Sequence, residues 1–517
     1  MRKLSIILLL IMFVILAFSV RVTILHINDT HGHAWVFSEW RNPNIGGFSV
    51  IATIVEEVRK EVESQGGHVL FLHAGDLNTG VPESDLQDAI PDIVALNMIG
   101  LDAMAVGNHE FDNPREVLLK QMKYADFPFL SANIVDSEGK PFFTPYIIKD
   151  FGDVKVAIYG LTTEETEILE PLYLGDLKFL NAIEVSKKLV PELRKKADVV
   201  IALVHLGWGM KHPGNYTTSG QLAMNVEGID VIIDGHSHTK MEKAEIVNGT
   251  IVVQAWEFGK YVGRLDLDIE DGKIVNWSWK PIPVNLKVYK GKDKEGKKIY
   301  EYVGKPYKEN KYVKAALDYF KKIGSEKLDI VIGETKILLT YKGVREKDTN
   351  LSNLVTDAMR WKAKADIAFT NGGGIRADIL PGKITIRDIL TVLPFGNTLF
   401  VMKLSGEQVL KVLEYAATIP KGKGAYLHTS GLTWKSKDGK VVEAYVNGEP
   451  LDLTKTYIVV TNNYMAGGGD GYKMLKEWST QGYDTGFLMS DAVIEYIKEV
   501  LGGVIEDYDS SQRYVRE

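Results

Sequence analysis

Cysteine is absent from all 517 residues, so the sequence offers neither a disulfide nor a lipidation site. A basic excess is absent too. Lysine and arginine number 61 against 68 acidic residues, a net charge of −7, and no long basic stripe interrupts that balance. A nucleic-acid scaffold is thereby excluded. There is no internal repeat and no low-complexity tract, which argues against a solenoid or a disordered tail. Past the first twenty residues no apolar run is long enough to span a bilayer. What is present is enough chain for two or three domains with ample core.

Met1-Arg2-Lys3 precedes an almost wholly apolar stretch over 4–20. A cationic head, an apolar run and the small-x-small triplet Ala17-Phe18-Ser19 predict a secretory signal over 1–19, cleaved after Ser19. The alternative is an uncleaved anchor, because ~17 apolar residues sit at the low edge of spanning length. Cleavage leaves an exported protein, periplasmic or extracellular, with no stable membrane insertion.

From Arg21 onward short apolar runs alternate with helical spacing, the pattern of a layered α/β fold. Runs at 22–27, 69–73, 154–161, 199–204 and 231–233 read as strands, and 48–63 and 88–99 as helices. The lysine-, glycine- and tyrosine-rich stretch 287–314 reads as a solvated hairpin rather than an anion-binding patch. An amphipathic helix over 312–322 serves as connector. The second half mixes strands (366–370, 399–403, 457–461) with helices (354–362, 406–417, 490–499), an α+β pattern. The expected organisation is thus a first domain at 21–311, a linker helix within 312–331 and a second domain at 332–517.

The strand ends carry the chemistry. Ligands in such folds gather beyond the carboxyl ends of the strands, and there stand Asp29, His31, Asp76, Asn108, His205, His236 and His238. Mixed oxygen and imidazole donors suit Zn, Mn, Fe or Co better than Mg or Ca. Seven donors exceed what one open catalytic ion takes; they suit two ions ~3.5–4 Å apart sharing a carboxylate. Asp29-x-His31 and His236-x-His238 each skip one residue, which in extended chain puts both side chains on one face. Such a pair either holds one ion or straddles two. In Gly107-Asn108-His109-Glu110-Phe111-Asp112, a carboxylate three residues past the histidine is placed to fix its tautomer and favour imidazolium.

Asp29-x-His31-Gly32-His33, Gly75-Asp76, Gly107-Asn108-His109-Glu110, His205 and Gly235-His236-Ser237-His238 together resemble the motif series of calcineurin-like metallophosphoesterases. Spacing and the second half narrow the resemblance to the secreted 5'-nucleotidase family, which includes UDP-sugar hydrolases and cyclic-phosphodiesterase nucleotidases. It covers nearly the whole mature chain. It implies an N-terminal α/β-sandwich metallophosphoesterase domain, a helical connector and a C-terminal α+β nucleotide-binding domain. It further implies that Asp29, His31 and His238 hold one ion and Asn108, His205 and His236 a second, with Asp76 bridging; on the donor set, Zn, Mn or Co is the metal expected. Some relatives carry Gln at the place of His238. His109 would stand beside the scissile phosphate, with Asp112 as its partner.

Specificity must come from the second half. Asn371-Gly372-Gly373-Gly374-Ile375-Arg376 ends a strand in a glycine turn with an amide and a guanidinium. No Gly-Lys-Ser/Thr follows, so it is not a Walker loop. Phe395 and Tyr464 lie in loops and could clamp a flat base. The resemblance matches these two to the aromatics that sandwich the nucleobase, Asp470 to the acid at the ribose hydroxyls, and Asn397 to an amide near the base. It matches Arg345 and Arg376 to arginines near nucleotide oxygens. Tyr464 departs from the Phe common in relatives, so its hydroxyl offers a shift in base preference.

The function expected is hydrolysis of nucleoside 5'-monophosphates by a dinuclear-metal-activated water, with a small-molecule nucleotide and no nucleic acid as partner. UDP-sugar or 2',3'-cyclic-nucleotide hydrolysis is the alternative on the same scaffold. An exported nucleotide-binding protein with a silent metal site is the alternative of a different class. A silent relative should lack a bridging carboxylate or the proton-handling histidine, and here Asp76, His109 and Asp112 are all present.

Overall fold

The computed structural model describes residues 19–39, 42–170, 173–211, 216–324, 328–479 and 482–517, so the expected signal lies outside the described residues but for Ser19. The first half is built on two six-stranded sheets. One runs in the order Lys273–Pro283, Tyr261–Glu270, Val20–Ile27, His68–His73, Ala103–Ala105, Phe129–Leu130, its last four strands parallel. The other runs Glu245–Val247, Thr250–Val253, Val231–Ile233, Val199–His205, Lys155–Thr162, Tyr146–Asp150, parallel except at its edges.

Alternation along each strand explains how the sheets stack, since successive side chains point to opposite faces. Val22, Ile24, Leu70 and Leu72 of the first sheet meet Ile158, Ile201, Leu203 and Val231 of the second in one core. The intervening Leu25, Ile27 and Phe71 point outward, onto helices Phe48–Glu63 and Ile90–Ile99. Val200, Ala202 and Val204 face helices Ala182–Leu193 and Ser219–Asn225. Two sheets between two helical layers result. Each aliphatic side chain buried there contributes about 1.5–3 kcal/mol of transfer free energy. Helix Phe48–Glu63 shows the local logic: Phe48, Ile51, Val55, Val58 and Val62 recur at three- and four-residue steps and are all buried.

The connecting helix Lys311–Gly324 docks on this first half, burying Val313 and Leu317 in its core and accepting the Trp35 indole N–H at the Leu317 carbonyl, 2.9 Å. The stretch before it forms a two-stranded hairpin, Lys287–Lys292 with Lys298–Tyr302.

The second half centres on a five-stranded sheet in the order Leu427–Ser430, Ile367–Asn371, Thr456–Asn462, Thr398–Ser405, Tyr483–Leu488. Helix Asn350–Ala363 covers one face and helix Gly406–Thr418 the other. Ser405 starts the latter with a reciprocal cap, its hydroxyl accepting from Gln408 N while the Gln408 amide accepts from Ser405 N. The halves touch where helix Pro82–Asp85 meets helix Ile386–Val392 and where helix Thr166–Leu169 meets the turn Gly469–Gly471. Arg387 pairs with Glu83 across the first contact. Among the described residues no helix is long and apolar enough to cross a membrane.

Candidate metal centre and nucleotide cleft

Because the central strands of each sheet run parallel, their carboxyl ends open on the same side, and the loops leaving Ile27, His73, Ala105, His205 and Ile233 converge there. All seven strand-end residues meet. Asp29, His31 and His238 form one group, and Asp76, His205 and His236 a second. His31 Nε2 lies 3.8 Å from Asp76 Oδ2, joining the two. Asn108 Oδ1 is 2.9 Å from His236 Nδ1.

The backbone departs from the extended chain expected of the paired residues. Asp29, His31, His236 and His238 all adopt left-handed conformations, with φ of 50°, 46°, 75° and 49°, as does Asp76 at 57°. These are turns, not continuing strand, and the side chains converge because the chain curls around a point. Left-handed backbone at non-glycine residues is sparsely populated, and clusters of it occur at functional sites. Glycines permit the close approach: a Cβ on Gly107 would stand 2.2 Å from Asp76 Oδ1, and one on Gly75 would meet His205 Nδ1 at 2.7 Å.

The hydrogen bonds on the far side of each ring reveal what the near side offers. Among the described residues His31 Nδ1 faces only the carbonyls of Asn78 and Thr79, at 3.0 and 3.1 Å, so it carries the proton. His238 Nδ1 donates to Glu257 Oε2 at 2.6 Å. The two Nε2 lone pairs therefore point at each other across 3.2 Å, with Asp29 Oδ1 3.4 Å from the second. Acceptors opposed in this way call for a cation between them. His205 repeats the pattern: Nδ1 donates to the Ala74 carbonyl at 2.7 Å. Its buried Nε2, 3.0 Å from Asp76 Oδ2, lacks the alignment of a hydrogen bond. Burial opposes charge on this ring, but the Asp76 and Asp29 carboxylates prevail and push its pKa up to about 10. A divalent ion takes the place of such a proton. The donor set thus fits metal.

His109 opens a single turn of 3-10 helix, His109–Phe111, and its Nδ1 lies 2.8 Å from Asp112 Oδ2. Burial works against its protonation, yet Asp112 and Asp76 raise its pKa. Its backbone N–H donates to Asp76 Oδ1 at 2.9 Å.

A cavity of about 1110 Å³ lies between the halves, lined from one side by Asp76, Asn108, His109 and His238 and from the other by Arg376, Phe395, Asn397, Tyr464 and Asp470, with Asn371 and Arg345 also at its wall. The Phe395 ring stands 5.7 Å from the His109 ring, and Arg376 Cζ lies 5.7 Å over Phe395. Arg376 Nη2 reaches to 3.5 Å from His31 Nε2. Arg345 is exposed to the cleft.

Residues 22–240 match the family model described as calcineurin-like phosphoesterase, and 331–477 match that of the 5'-nucleotidase C-terminal domain. A 5'-nucleotidase of Vibrio cholerae is 40% identical over 92% of this chain and 90% of its own length. The chain belongs to the 5'-nucleotidase family. Protein UshA of Escherichia coli is 37% identical over 93% of this chain and 91% of its own. Among solved structures, a 5'-nucleotidase precursor from Thermus thermophilus superposes with a TM-score of 0.83 at 32% identity, covering 96% of this chain and 99% of the other. The phosphoesterase match implies divalent metal cofactors.

In this 5'-nucleotidase family member several supporting residues escaped the sequence reading. Glu257 orients the His238 ring and is itself held by Lys260 at 2.7 Å. It follows strand Thr250–Val253, so the strand-end rule, carried one strand further, would have found it. Glu110 accepts the N–H groups of Asp76, Leu77 and Gly107 at 3.0, 2.8 and 2.6 Å and so fixes the loop bearing Asp76. It sits within Gly107-Asn108-His109-Glu110, next to the histidine. Glu170 accepts from the Asn108 amide at 3.2 Å, and only the fold brings it there. On the cleft's other wall, Asn371 commits its amide to neighbours, donating to Asp470 Oδ2 at 2.7 Å and accepting from Asn462 at 3.1 Å. The Tyr464 hydroxyl accepts the Asp470 N–H at 3.1 Å.

Proposed function

We propose that this chain hydrolyses nucleoside 5'-monophosphates to nucleoside and phosphate. The observation that carries the reading is the 5.7 Å approach of Phe395 to His109, which sets a base-stacking surface beside a proton-handling ring in one cavity. Asp29, His31 and His238 would hold one divalent ion and Asn108, His205 and His236 another, with Asp76 shared, and Zn, Mn or Co suits such donors. Ions so held lower the pKa of water and draw charge from phosphate oxygens.

The protein's own groups do the rest. The carbonyls of Ala74, Asn78 and Thr79 and the Glu257 carboxylate lock three imidazoles in the tautomer that turns Nε2 inward. Asp112 holds the Nδ1–H of His109, leaving a proton at Nε2 for the departing ribose oxygen. Arg376 supplies charge beside the phosphate position, Arg345 further along the cleft. Phe395 and Tyr464 offer stacking faces, Asn397 an amide at the base, and Asp470, kept in place by Asn371, an acceptor for the ribose.

A second reading, UDP-sugar hydrolysis, is favoured by the cavity's 1110 Å³, more than pockets of about 300–1,000 Å³ that enclose drug-sized ligands; 2',3'-cyclic-nucleotide hydrolysis, whose substrate is no larger than AMP, is the other alternative on the same scaffold. Rates on AMP, UDP-glucose and a 2',3'-cyclic nucleotide, with metal-stripped protein resupplied separately with Mn, Co, Zn and Mg, separate the readings; highest kcat/KM on AMP is expected. The silent-site reading predicts no turnover in any arm.

We also infer export by the segment 1–19, read out by N-terminal sequencing of the mature protein, which should begin at Val20. The units 21–311 and 332–517 are taken to be joined by the linker at 312–331, with the second unit bringing nucleotide to the first.

A further inference from the structure

The loop Gly467-Gly468-Gly469-Asp470-Gly471 is moulded on two tyrosines. A Cβ on Gly469 would lie 2.5 Å from the Tyr464 ring, and one on Gly471 would lie 2.1 Å from the Tyr415 hydroxyl. Between those glycines Asp470 adopts a left-handed backbone, φ 53° and ψ 24°. Nearly every polar group of this residue is tied. Its N–H donates to the Tyr464 hydroxyl at 3.1 Å, its carbonyl accepts from the Tyr415 hydroxyl at 2.9 Å, and Oδ2 accepts from Asn371 at 2.7 Å. Asn371 is held in turn by Asn462, which also donates to Thr370 Oγ1 at 3.2 Å. Tyr415, Tyr464 and Asp470 all line the cleft.

We propose that the Tyr464 and Tyr415 hydroxyls are positioning groups that hold the Asp470 carboxylate for a vicinal diol, and that they set the preference for ribonucleotides over 2'-deoxyribonucleotides. The proposal rests on the reading of Asp470 as the ribose acceptor. Its physical basis is directional: a carboxylate rewards both hydroxyls of a diol only when its plane is fixed, and an aspartate in the left-handed region has no such fixity of its own. Two hydroxyls clamp its main chain from either side, the Tyr464 hydroxyl also reaching the carboxylate, and the Asn371 amide holds Oδ2, so the carboxylate meets the cleft in one orientation. A 2'-deoxy sugar presents one hydroxyl and gains less from that arrangement. Tyr464 thereby has two separable parts, a ring face for the base and a hydroxyl spent on the neighbouring loop. The hydroxyl is not presented to the base, so the expected shift in base preference is replaced by an effect on the sugar.

The test compares kcat/KM for AMP and 2'-deoxy-AMP in metal-loaded full-length protein and in Tyr464→Phe, Tyr415→Phe and Asp470→Ala. Tyr464→Phe keeps the ring and its packing, so the ribo-to-deoxy ratio should fall about 3- to 10-fold, the worth of one hydrogen bond. Tyr415→Phe should act in the same direction, and Asp470→Ala should remove the preference altogether. Base preference, read on AMP against UMP, should move less than about 2-fold in Tyr464→Phe. If Asp470→Ala abolishes the ribose preference while both tyrosine variants keep the parental ratio, the tyrosine clamp is wrong and the ribose reading survives. If Asp470→Ala leaves the ratio unchanged, the ribose reading itself fails. A loss of activity equal for both sugars in Tyr464→Phe would mark a purely structural hydroxyl and overturn the proposal. Thermal melts of each variant verify that folded protein is being compared.

Discussion

Replacing His109 by alanine separates chemistry from metal binding more cleanly than any other change in the cleft. The ring is 13% exposed and its partner Asp112 6%, so water enters poorly and the imidazole is the proton source nearest the aromatic wall. A positioned general acid of this kind contributes about 10²–10⁴-fold, which at 1.36 kcal/mol per decade is ~2.7–5.4 kcal/mol of barrier. The metal cluster should persist, because residue 109 holds Asp76 Oδ1 through its backbone N–H, 2.9 Å, and alanine keeps that group. The variant does leave Asp112 without its 2.8 Å imidazole partner, with the Glu170 carboxyl as its remaining side-chain neighbour in that cluster among the described residues. The stranded carboxylate should cost about 1–3 kcal/mol of stability. Phosphate release from saturating AMP, measured well below the melting transition and alongside elemental metal analysis, gives both quantities. Turnover reduced 10²–10⁴-fold at unchanged metal content is expected. Loss of metal, or turnover within roughly 10-fold of the parent, would refute the role given to this ring.

Other consequences follow from neighbouring geometry. Phe395→Ala removes a stacking face worth ~1–3 kcal/mol and should raise KM for AMP roughly 5- to 150-fold with a smaller effect on kcat; equal KM would contradict the base site. Gly107→Ala would set a methyl 2.2 Å from Asp76 Oδ1, so titration with Mn should show affinity down by at least roughly 10-fold. Burial raises the Asp92 carboxyl to about 7, with the Ser84 hydroxyl as its one side-chain hydrogen-bond partner among the described residues. An acid whose folded pKa exceeds its unfolded value stabilises the fold below the unfolded value, and that contribution is lost as pH rises through the folded one. Stability should therefore decline between about pH 4 and pH 7 through this group. Asp92→Asn should flatten the slope in urea melts, and identical slopes would show that the group does not titrate there. A short bismaleimide link between cysteines at Glu83 and Arg387, clean because the chain has no other cysteine, should slow turnover if the halves must part. Unchanged turnover would argue against that motion.

The strands were legible because they are buried on both faces and read as unbroken apolar runs: Val199–His205 has no exposed residue. Helices with a clear apolar stripe, Phe48–Glu63 and Gly406–Thr418, fall where their spacing predicts. The antiparallel pair Tyr261–Glu270 and Lys273–Pro283 went unread. It completes the first sheet, but Arg264, Asp266 and Asp268 alternate with its apolar residues, and most of the second strand faces solvent. At the metal centre the donors were legible because polar residues interrupt apolar runs at strand ends. Their conformations were not: nothing in the spacing of Asp29 and His31 distinguishes extended chain from two left-handed turns, which depend on contacts with the carbonyls of Gly75, Asp76, Asn78 and Thr79 far along the chain. Glu170, 62 residues from the Asn108 it steadies, has no local signal at all. Asn371 and Tyr464 were visible as cleft residues, but that their polar atoms serve Asp470 is a fact of packing.

The central claim is that Asp29, His31, Asp76, Asn108, His205, His236 and His238 hold two divalent ions on which phosphate-ester hydrolysis depends. The most direct test is metal analysis of purified protein coupled to AMP hydrolysis before chelation, after exhaustive chelation, and after resupply of Mn, Co or Zn. The account predicts two ions per chain, activity lost with them, and activity restored as the second site fills. Full turnover by protein freed of metal would contradict it.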